Sequence, residues 1–365
     1  MYIKKLQLLN FKNYSEAELD FEARINVLVG KNGSGKTNLL DAIYYLSLTK
    51  SAFAASDSHC LQHHQASFMV KGVFKNTNTH ELLAAFQNGQ KKVFKEDQQD
   101  YIKLSDHIGK YPIVLIAPDD VDLVKEGSES RRKFFDGILS QLNKKYLEQL
   151  IQYNQALKQR NSLLRMFQNG SAVDWLAVES YDRILVEVGN SIFEQRTSFT
   201  KDFIPVFQKY FNFIVEDSEI TSLTYVSELI ETPFTEGLKN NRQKDIALQR
   251  TSFGIHRDDY SFMLGEGGLR RLGSQGQQKS FVIALKLAQF EIMEKHKGFK
   301  PILLLDDIFD KLDDFRIARL LELIKQDLGQ LFITDARPDR TQGLLDQIHV
   351  KASVFHVESG KVNRL

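Results

Sequence analysis

Gly30-Lys31-Asn32-Gly33-Ser34-Gly35-Lys36-Thr37 is the stretch that decides the fold of this chain. It fits the pattern G-x-x-x-x-G-K-[ST], a loop in which bare glycines let backbone N–H groups turn inward around a phosphate. The flanks suit the loop. Ile25-Asn26-Val27-Leu28-Val29 reads as a buried strand entering it, and Asn38 to Leu48 as a helix leaving it. The helix N-terminus adds partial positive charge beneath the phosphates. Residues Gly30, Lys31, Asn32, Gly33, Ser34, Gly35, Lys36, Thr37 and Asn38 are therefore expected to hold ATP. Lys36 would reach the β- and γ-phosphates, and the Thr37 hydroxyl would ligate Mg2+.

Downstream, Pro301-Ile302-Leu303-Leu304-Leu305-Asp306-Asp307 is an apolar strand ending in two carboxylates. Asp306 suits the Mg2+ site, and Asp307 is placed to orient or polarise an attacking water. An apolar strand ending in Asp is common by itself; the phosphate loop gives this one its meaning. Ser274-Gln275-Gly276-Gln277-Gln278-Lys279 precedes an amphipathic helix, Phe281 to Lys295. Small residues at a helix start make a second anion-binding N-terminus, although a plain helix cap has the same appearance. One nucleotide cannot easily use two such loops of one chain. The economical arrangement is a head-to-tail homodimer in which each Ser274–Gly276 loop closes over its partner's ATP.

The chain has 365 residues, which suggests about two domains. Apolar content of 42% with 26% charged residues is ordinary for a soluble globular protein. A net charge of +1 excludes a uniformly basic surface, so nucleic-acid binding requires a local patch. Cys60 is the single cysteine, which excludes a disulfide framework or a thiolate metal cluster. Apolar runs such as Ile302 to Leu305 are far too short for a membrane span, and Met1-Tyr2-Ile3-Lys4-Lys5-Leu6 lacks the features of a secretion signal. A cytoplasmic location without a membrane partner is expected.

The first third reads as strand-rich, with strand-like runs at Ser67 to Phe74, Glu81 to Phe86, Lys91 to Lys95 and Pro112 to Ile116. From about Glu129 the period changes to three-and-four. Leu147, Leu150, Asn154, Leu157, Asn161 and Leu164 form one such row, and Val178, Tyr181, Leu185, Val188, Ile192, Gln195 and Phe199 form another. Gln168-Asn169-Gly170-Ser171 lies between them as a turn, so an antiparallel helical hairpin is expected, its arms roughly 45–50 Å long at 1.5 Å per residue. The fold expected is α/β: a discontinuous phosphate-loop ATPase head, residues 1–125 and 249–365, with an inserted helical arm, residues 126–248.

The order of these elements resembles the ABC-type ATPases of the SMC-like branch, and more closely their RecF family of bacterial recombination and replication-repair proteins. "LQLLNFKNYSEAELDFEARINVLVGKNGSGKTNLLDAIYYLSL", "YPIVLIAPDDVDLVKEGSESRRKFFD", "TSFGIHRDDYSF", "SQGQQKSFVIALKLAQ", "PILLLDDIFDKLD" and "QLFITDA" carry the resemblance, which spans nearly the whole chain. It implies that Ser274 and Gly276 contact the γ-phosphate in trans, with Gln275, Gln277 and Asp313 also in the partner's ATP site, and that Leu312-Asp313 couples the two sites. Thr334 stands where many ABC ATPases carry histidine, and Asp307 where most carry glutamate. With Lys36 these form the expected catalytic set. Asp is one methylene shorter than Glu, and Thr cannot accept the same charge, so slow, DNA-stimulated turnover is expected, with ATP acting mainly as a dimer clamp. The resemblance further implies binding to single-stranded DNA and to single-strand/duplex gap junctions, RecR and RecO as partners, loading of the recombinase RecA, and support of the SOS response. It leaves the glutamine usual between phosphate loop and signature without a position.

No sequence-reading DNA module is visible. Candidate phosphate contacts are Arg131, Arg132 and Lys133, Lys4, Lys5 and Lys12 on a supposed exposed strand edge, His256-Arg257, and Arg270-Arg271. Solvated or ion-paired faces would look the same, and Asp258-Asp259 beside His256-Arg257 favours ion pairing there. The alternatives are an SMC-like structural DNA organiser or another ABC-type ATPase. Short arms count against the first. The wide gap from phosphate loop to signature counts against a transport ATPase.

Overall fold

The computed structural model describes residues 1–22, 24–167, 174–215, 220–309 and 312–365. The expected Asn169-Gly170 turn lies outside the described residues. The chain divides into two compact units, one of Met1–Asp120, Lys209–Glu216 and Lys279–Leu365, the other of Val121–Gln208 and Asp217–Gln278.

In the first unit Ile25–Val29 lies inside a six-stranded sheet. Its order is Lys361–Arg364, Ser353–Glu358, Ile25–Val29, Leu331–Asp335, Ile302–Leu305, Ile113–Ile116. All neighbours are parallel except the final hairpin. Every residue of Ile25–Val29, Ile302–Leu305 and Ile113–Ile116 is buried, which is why these strands read as unbroken apolar runs rather than alternating ones. The register pairs Val29 with Asp335, and Leu305 with both Ile333 and Ile116. The strands thus end together, and the loops that follow them share one carboxyl edge, the usual ligand position of such sheets.

A second, antiparallel sheet takes the order Tyr14–Asp20, Tyr2–Phe11, Ser67–Lys75, Thr79–Gln87, Val93–Glu96, Gln99–Asp100. Helix Lys36–Leu48 contributes Leu39, Leu40, Ile43 and Leu46 to a core shared with Leu6, Phe11, Val70 and Phe74 of this sheet and Leu28, Leu304 and Phe332 of the parallel one. The phosphate-loop helix is therefore held on both sides.

The second unit contains helices Ser128–Leu142 and Lys144–Met166, helix Trp175–Ile214 as far as Gln208, and the three-stranded sheet Gly267–Gly268, Asp259–Leu264, Thr221–Val226. The two longer helices run antiparallel. Asn143 Nδ2 donates to Gln195 Oε1 at 3.0 Å, Gln149 Nε2 to Ser191 Oγ at 2.9 Å, and Arg160 Nε to Asp182 Oδ1 at 2.6 Å. The arms differ in length, 23 residues against 40, in place of the equal arms expected. The inward row of the first helix is also offset from the expected one. Tyr146, Tyr153, Ala156, Arg160 and Leu164 are buried, whereas Asn154 is exposed. The cause is polar. Tyr146 and Arg160 bury their bulk because Asp136 takes the tyrosine hydroxyl, while Asp182 and Asp245 take Nε and Nη1 of the guanidinium.

Among the described residues, no helix is long and apolar enough to cross a membrane.

Candidate nucleotide-binding site

The carboxyl edge of the parallel sheet gathers the site. A β-carbon on Gly30 would stand 2.2 Å from the Val357 carbonyl oxygen. Gly35 caps the outgoing helix at φ +115°, where a β-carbon would meet Asn13 Nδ2 at 2.4 Å. Glycine is required at both positions, for close approach at the first and for backbone conformation at the second.

Other segments brace the loop. Asn13 Nδ2 donates to the Ser34 carbonyl at 3.0 Å, and Asn38 Nδ2 donates to Asn13 Oδ1 at 2.7 Å. The Tyr14 hydroxyl donates to the Gly35 carbonyl at 2.9 Å, and the Gly360 N–H to the Ser34 carbonyl at 3.3 Å.

Asn32, Gly33, Gly35, Lys36, Thr37, Asn38 and Asp307 line a cavity of 170 Å³. The buried Lys36 ammonium donates to the carbonyls of Gly30 at 2.8 Å and Lys31 at 3.1 Å, which holds the cation across the loop. Ser34 Oγ is buried and meets no hydrogen-bond partner among the described residues. The first turn of the helix carries no acid. A lysine and the unpaired N–H groups of a helix start form a donor set that fits phosphate oxygens.

The acids stand beside the loop. Thr37 Oγ1 donates to both carboxylate oxygens of Asp306 at 3.0 Å. Thr334 Oγ1 donates to Asp306 Oδ1 at 2.7 Å and accepts the Asp307 N–H at 2.8 Å. Burial pushes the Asp306 carboxyl above the usual range, against the hydroxyls of Thr334 and Thr37 and the charge of Lys36, while the charge of Asp119 pushes it higher. A hard divalent cation between Thr37 and Asp306 fits this pair, with its other ligands drawn from phosphate and water. No group of three or more His, Cys, Asp or Glu among the described residues could hold a metal, so the chain alone offers few ligands. Asp307 is half-buried and sits at φ +42°.

Gly30 to Asn38, Asp306, Asp307 and Thr334 are thus brought together. Ser274, Gln275, Gly276 and Gln277 lie in the other unit, on and before the first turn of helix Gln275–Lys297. There Ser274 Oγ accepts the Gln277 N–H at 3.2 Å and Gln277 Oε1 accepts the Ser274 N–H at 2.7 Å, a reciprocal cap. Asp313 caps helix Asp314–Lys325, accepting the Arg316 N–H at 2.9 Å and pairing with its guanidinium.

The basic candidates have distinct fates. Arg131 is bidentate on Asp259, at 2.7 and 3.0 Å. Arg132 donates to the Asp258 carbonyl at 2.6 Å, and Lys133 pairs with Glu129 at 2.7 Å. Arg270 and Arg271 are exposed. Strand Tyr2–Phe11 is not an edge, because Tyr14–Asp20 and Ser67–Lys75 flank it. Lys5 pairs with Glu18, and Lys12 reaches the fully buried Asp41 at 2.6 Å, so only Lys4 of that trio is exposed. His256 is half-buried and bonds to the Tyr153 hydroxyl and the Thr251 carbonyl; loss of hydration lowers it to about 4, against the Thr251 bond, which raises it. The carboxylates beside it serve Arg196 and Arg131.

Asn13, Tyr14, Gly360 and Asp119 escaped the sequence reading. Asp119 alone had a signal, an acidic pair after the apolar run Ile113–Ile116.

A family model described as the RecF/RecN/SMC N terminal domain matches residues 2–362. The DNA replication and repair protein RecF of Cytophaga hutchinsonii is 44% identical, over 100% of this chain and 97% of its own length. That of Flavobacterium johnsoniae is 46% identical, over 98% and 100%. The chain belongs to the RecF family. Among solved structures, the recombination mediator protein RecF with ATPrS superposes with TM-score 0.88 at 28% identity, covering 100% of this chain and 98% of that one. A Pyrococcus furiosus Smc head domain shares the fold, at TM-score 0.58 and 19% identity over 100% of this chain and 96% of that one. RecF-family membership makes this an SMC-type ATPase head of DNA replication and recombinational repair.

Proposed function

We propose that this chain is an ATP-operated dimer clamp on single-stranded DNA and single-strand/duplex gap junctions. The observation that carries the reading is the convergence of Lys36, Thr37, Asn38 and Asp307 on one cavity at the start of the loop's helix. Lys36 and the loop amides bind the β- and γ-phosphates, and Thr37 and Asp306 hold Mg2+, which supplies charge neutralisation when bound. Asp307 orients water for in-line attack. Its carboxylate is a methylene short of glutamate, so turnover stays well below about 10 s⁻¹, the enzyme median.

Each Ser274 closes over the partner's ATP. Its hydroxyl already accepts from Gln277, which leaves its proton to donate to a γ-phosphate oxygen, and Gln275, Gly276, Gln277 and Asp313 complete that wall. DNA contact is to phosphates, with Arg270, Arg271 and Lys133 among the exposed cations that serve it. RecR and RecO are the partners, recombinase loading and SOS support the outcome, and the cytoplasm the location.

Analytical ultracentrifugation with ATP and Mg2+ tests the clamp. Wild type dimerises, Lys36→Arg and Ser274→Arg dimerise poorly, and Asp307→Asn forms a persistent dimer. ATP-dependent dimerisation that survives Ser274→Arg would remove that loop from the partner's site.

A further inference from the structure

Asp307 occupies the left-handed region at φ +42°, which costs a residue with a β-carbon on the order of 1 kcal/mol and calls for a compensating contact. Its N–H supplies one, donating to Thr334 Oγ1 at 2.8 Å. Thr334 is fully buried and is not among the residues lining the cavity, so its hydroxyl reaches the site only through the two acids. The polarity of the chain of bonds is fixed. An amide N–H can only donate and an ionised carboxylate can only accept, so the hydroxyl must accept from Asp307 and give its single proton to Asp306. Asp306 Oδ1 also accepts from Thr37 Oγ1 at 3.0 Å. The backbone of Asp307 is thereby tied through one hydroxyl to the carboxylate on the cation side.

We infer that Thr334 is a positioning residue that sets Asp306 and Asp307 in register, so that hydrolysis and the response to Mg2+ depend on it while nucleotide affinity at saturating Mg2+ does not. When Thr37 turns its hydroxyl toward a bound cation, the Thr334 bond keeps Asp306 oriented and Asp307 in its strained turn. The hydroxyl therefore does a different job from a residue that touches the γ-phosphate, and a serine can do it where a valine cannot. The inference rests on the nucleotide-binding reading above.

The test compares wild type, Thr334→Val and Thr334→Ser. It measures ATP turnover, binding of a fluorescent non-hydrolysable ATP analogue over a Mg2+ titration, and melting temperature. For the valine variant, kcat should fall about tenfold or more, and half-saturating Mg2+ should rise by a factor on the order of ten, as for lost supports of metal ligands. KM and analogue affinity at saturating Mg2+ should stay within about threefold, the signature of an interaction used beyond ground-state binding. Serine should restore turnover and Mg2+ response together. Wild type that binds the analogue and hydrolyses ATP, beside a valine variant with unchanged kcat, overturns the role of Thr334 and leaves nucleotide binding intact. Wild type that binds no analogue removes both. If the valine variant does not fold, the serine variant decides: turnover near wild type supports the hydroxyl, and a loss of about tenfold overturns it.

Discussion

Asn13 touches the phosphate loop twice, donating to the Ser34 carbonyl and accepting from the Asn38 amide. Replacing it by alanine removes both bonds, at about 1 kcal/mol each at most, and should weaken ATP-analogue binding roughly tenfold with little change in melting temperature. Equilibrium titration of the analogue checks this. Two histidines that lose hydration on folding, the fully buried His107 and the half-buried His256, carry a pH response. Burial lowers His107 and His256 to about 4, from an ordinary 6.5. The unfolded chain takes up these protons first, so stability is complete above about 6.5 and declines as pH falls toward 4, by up to about 3 kcal/mol per histidine. Urea midpoints at neutral and mildly acidic pH should show the fall, and His256→Gln should flatten it. At this scale the sequence pointed to Gly30 to Thr37, Asp306 and Asp307, which the fold brings together, because a phosphate-loop pattern fixes residue type at fixed spacing. Asn13 and Gly360 stayed hidden, because an amide bonding to a remote carbonyl leaves no periodic mark.

The paired helices were legible as elements because their apolar spacing repeats every three and four positions. Their inward rows were less so. Arg160 counts as a surface residue in any apolar tally, yet it is fully buried, with Nη1 donating to Asp245 at 2.6 Å and Nε to Asp182 at 2.6 Å. Asp245 is fully buried as well. Arg160→Met leaves that carboxylate without its cation and should cost about 3–5 kcal/mol, seen as a lower thermal midpoint. Adding Asp245→Leu to the methionine variant should recover most of the loss, because the penalty lies in the stranded charge. An unchanged thermal midpoint in the methionine variant would mean that the pair bears no stability.

For the molecule as a whole, the near-zero net charge makes DNA affinity a matter of local patches. Arg131 and Arg132 tie helix Ser128–Leu142 to Asp259 and Asp258, so their removal should register in melting before it registers in DNA binding. Arg270→Ala with Arg271→Ala should instead leave melting unchanged and reduce the slope of log affinity against log salt by about 2, one for each lost phosphate contact. Affinities measured from low to physiological salt, with and without ATP, read this directly. The α/β architecture was legible because fully buried parallel strands leave unbroken apolar runs. The partition into units was harder to read, since the ion pairs Arg131–Asp259 and Arg196–Asp258 join segments far apart in sequence. One such long-range junction concerns the phosphate loop itself. Strand Ser353–Glu358 lies beside Ile25–Val29, and Gly360 donates to the Ser34 carbonyl. A ribosome releases the loop early and this brace late. Support of the phosphate loop from this side is therefore completed only after residues 353–360 emerge.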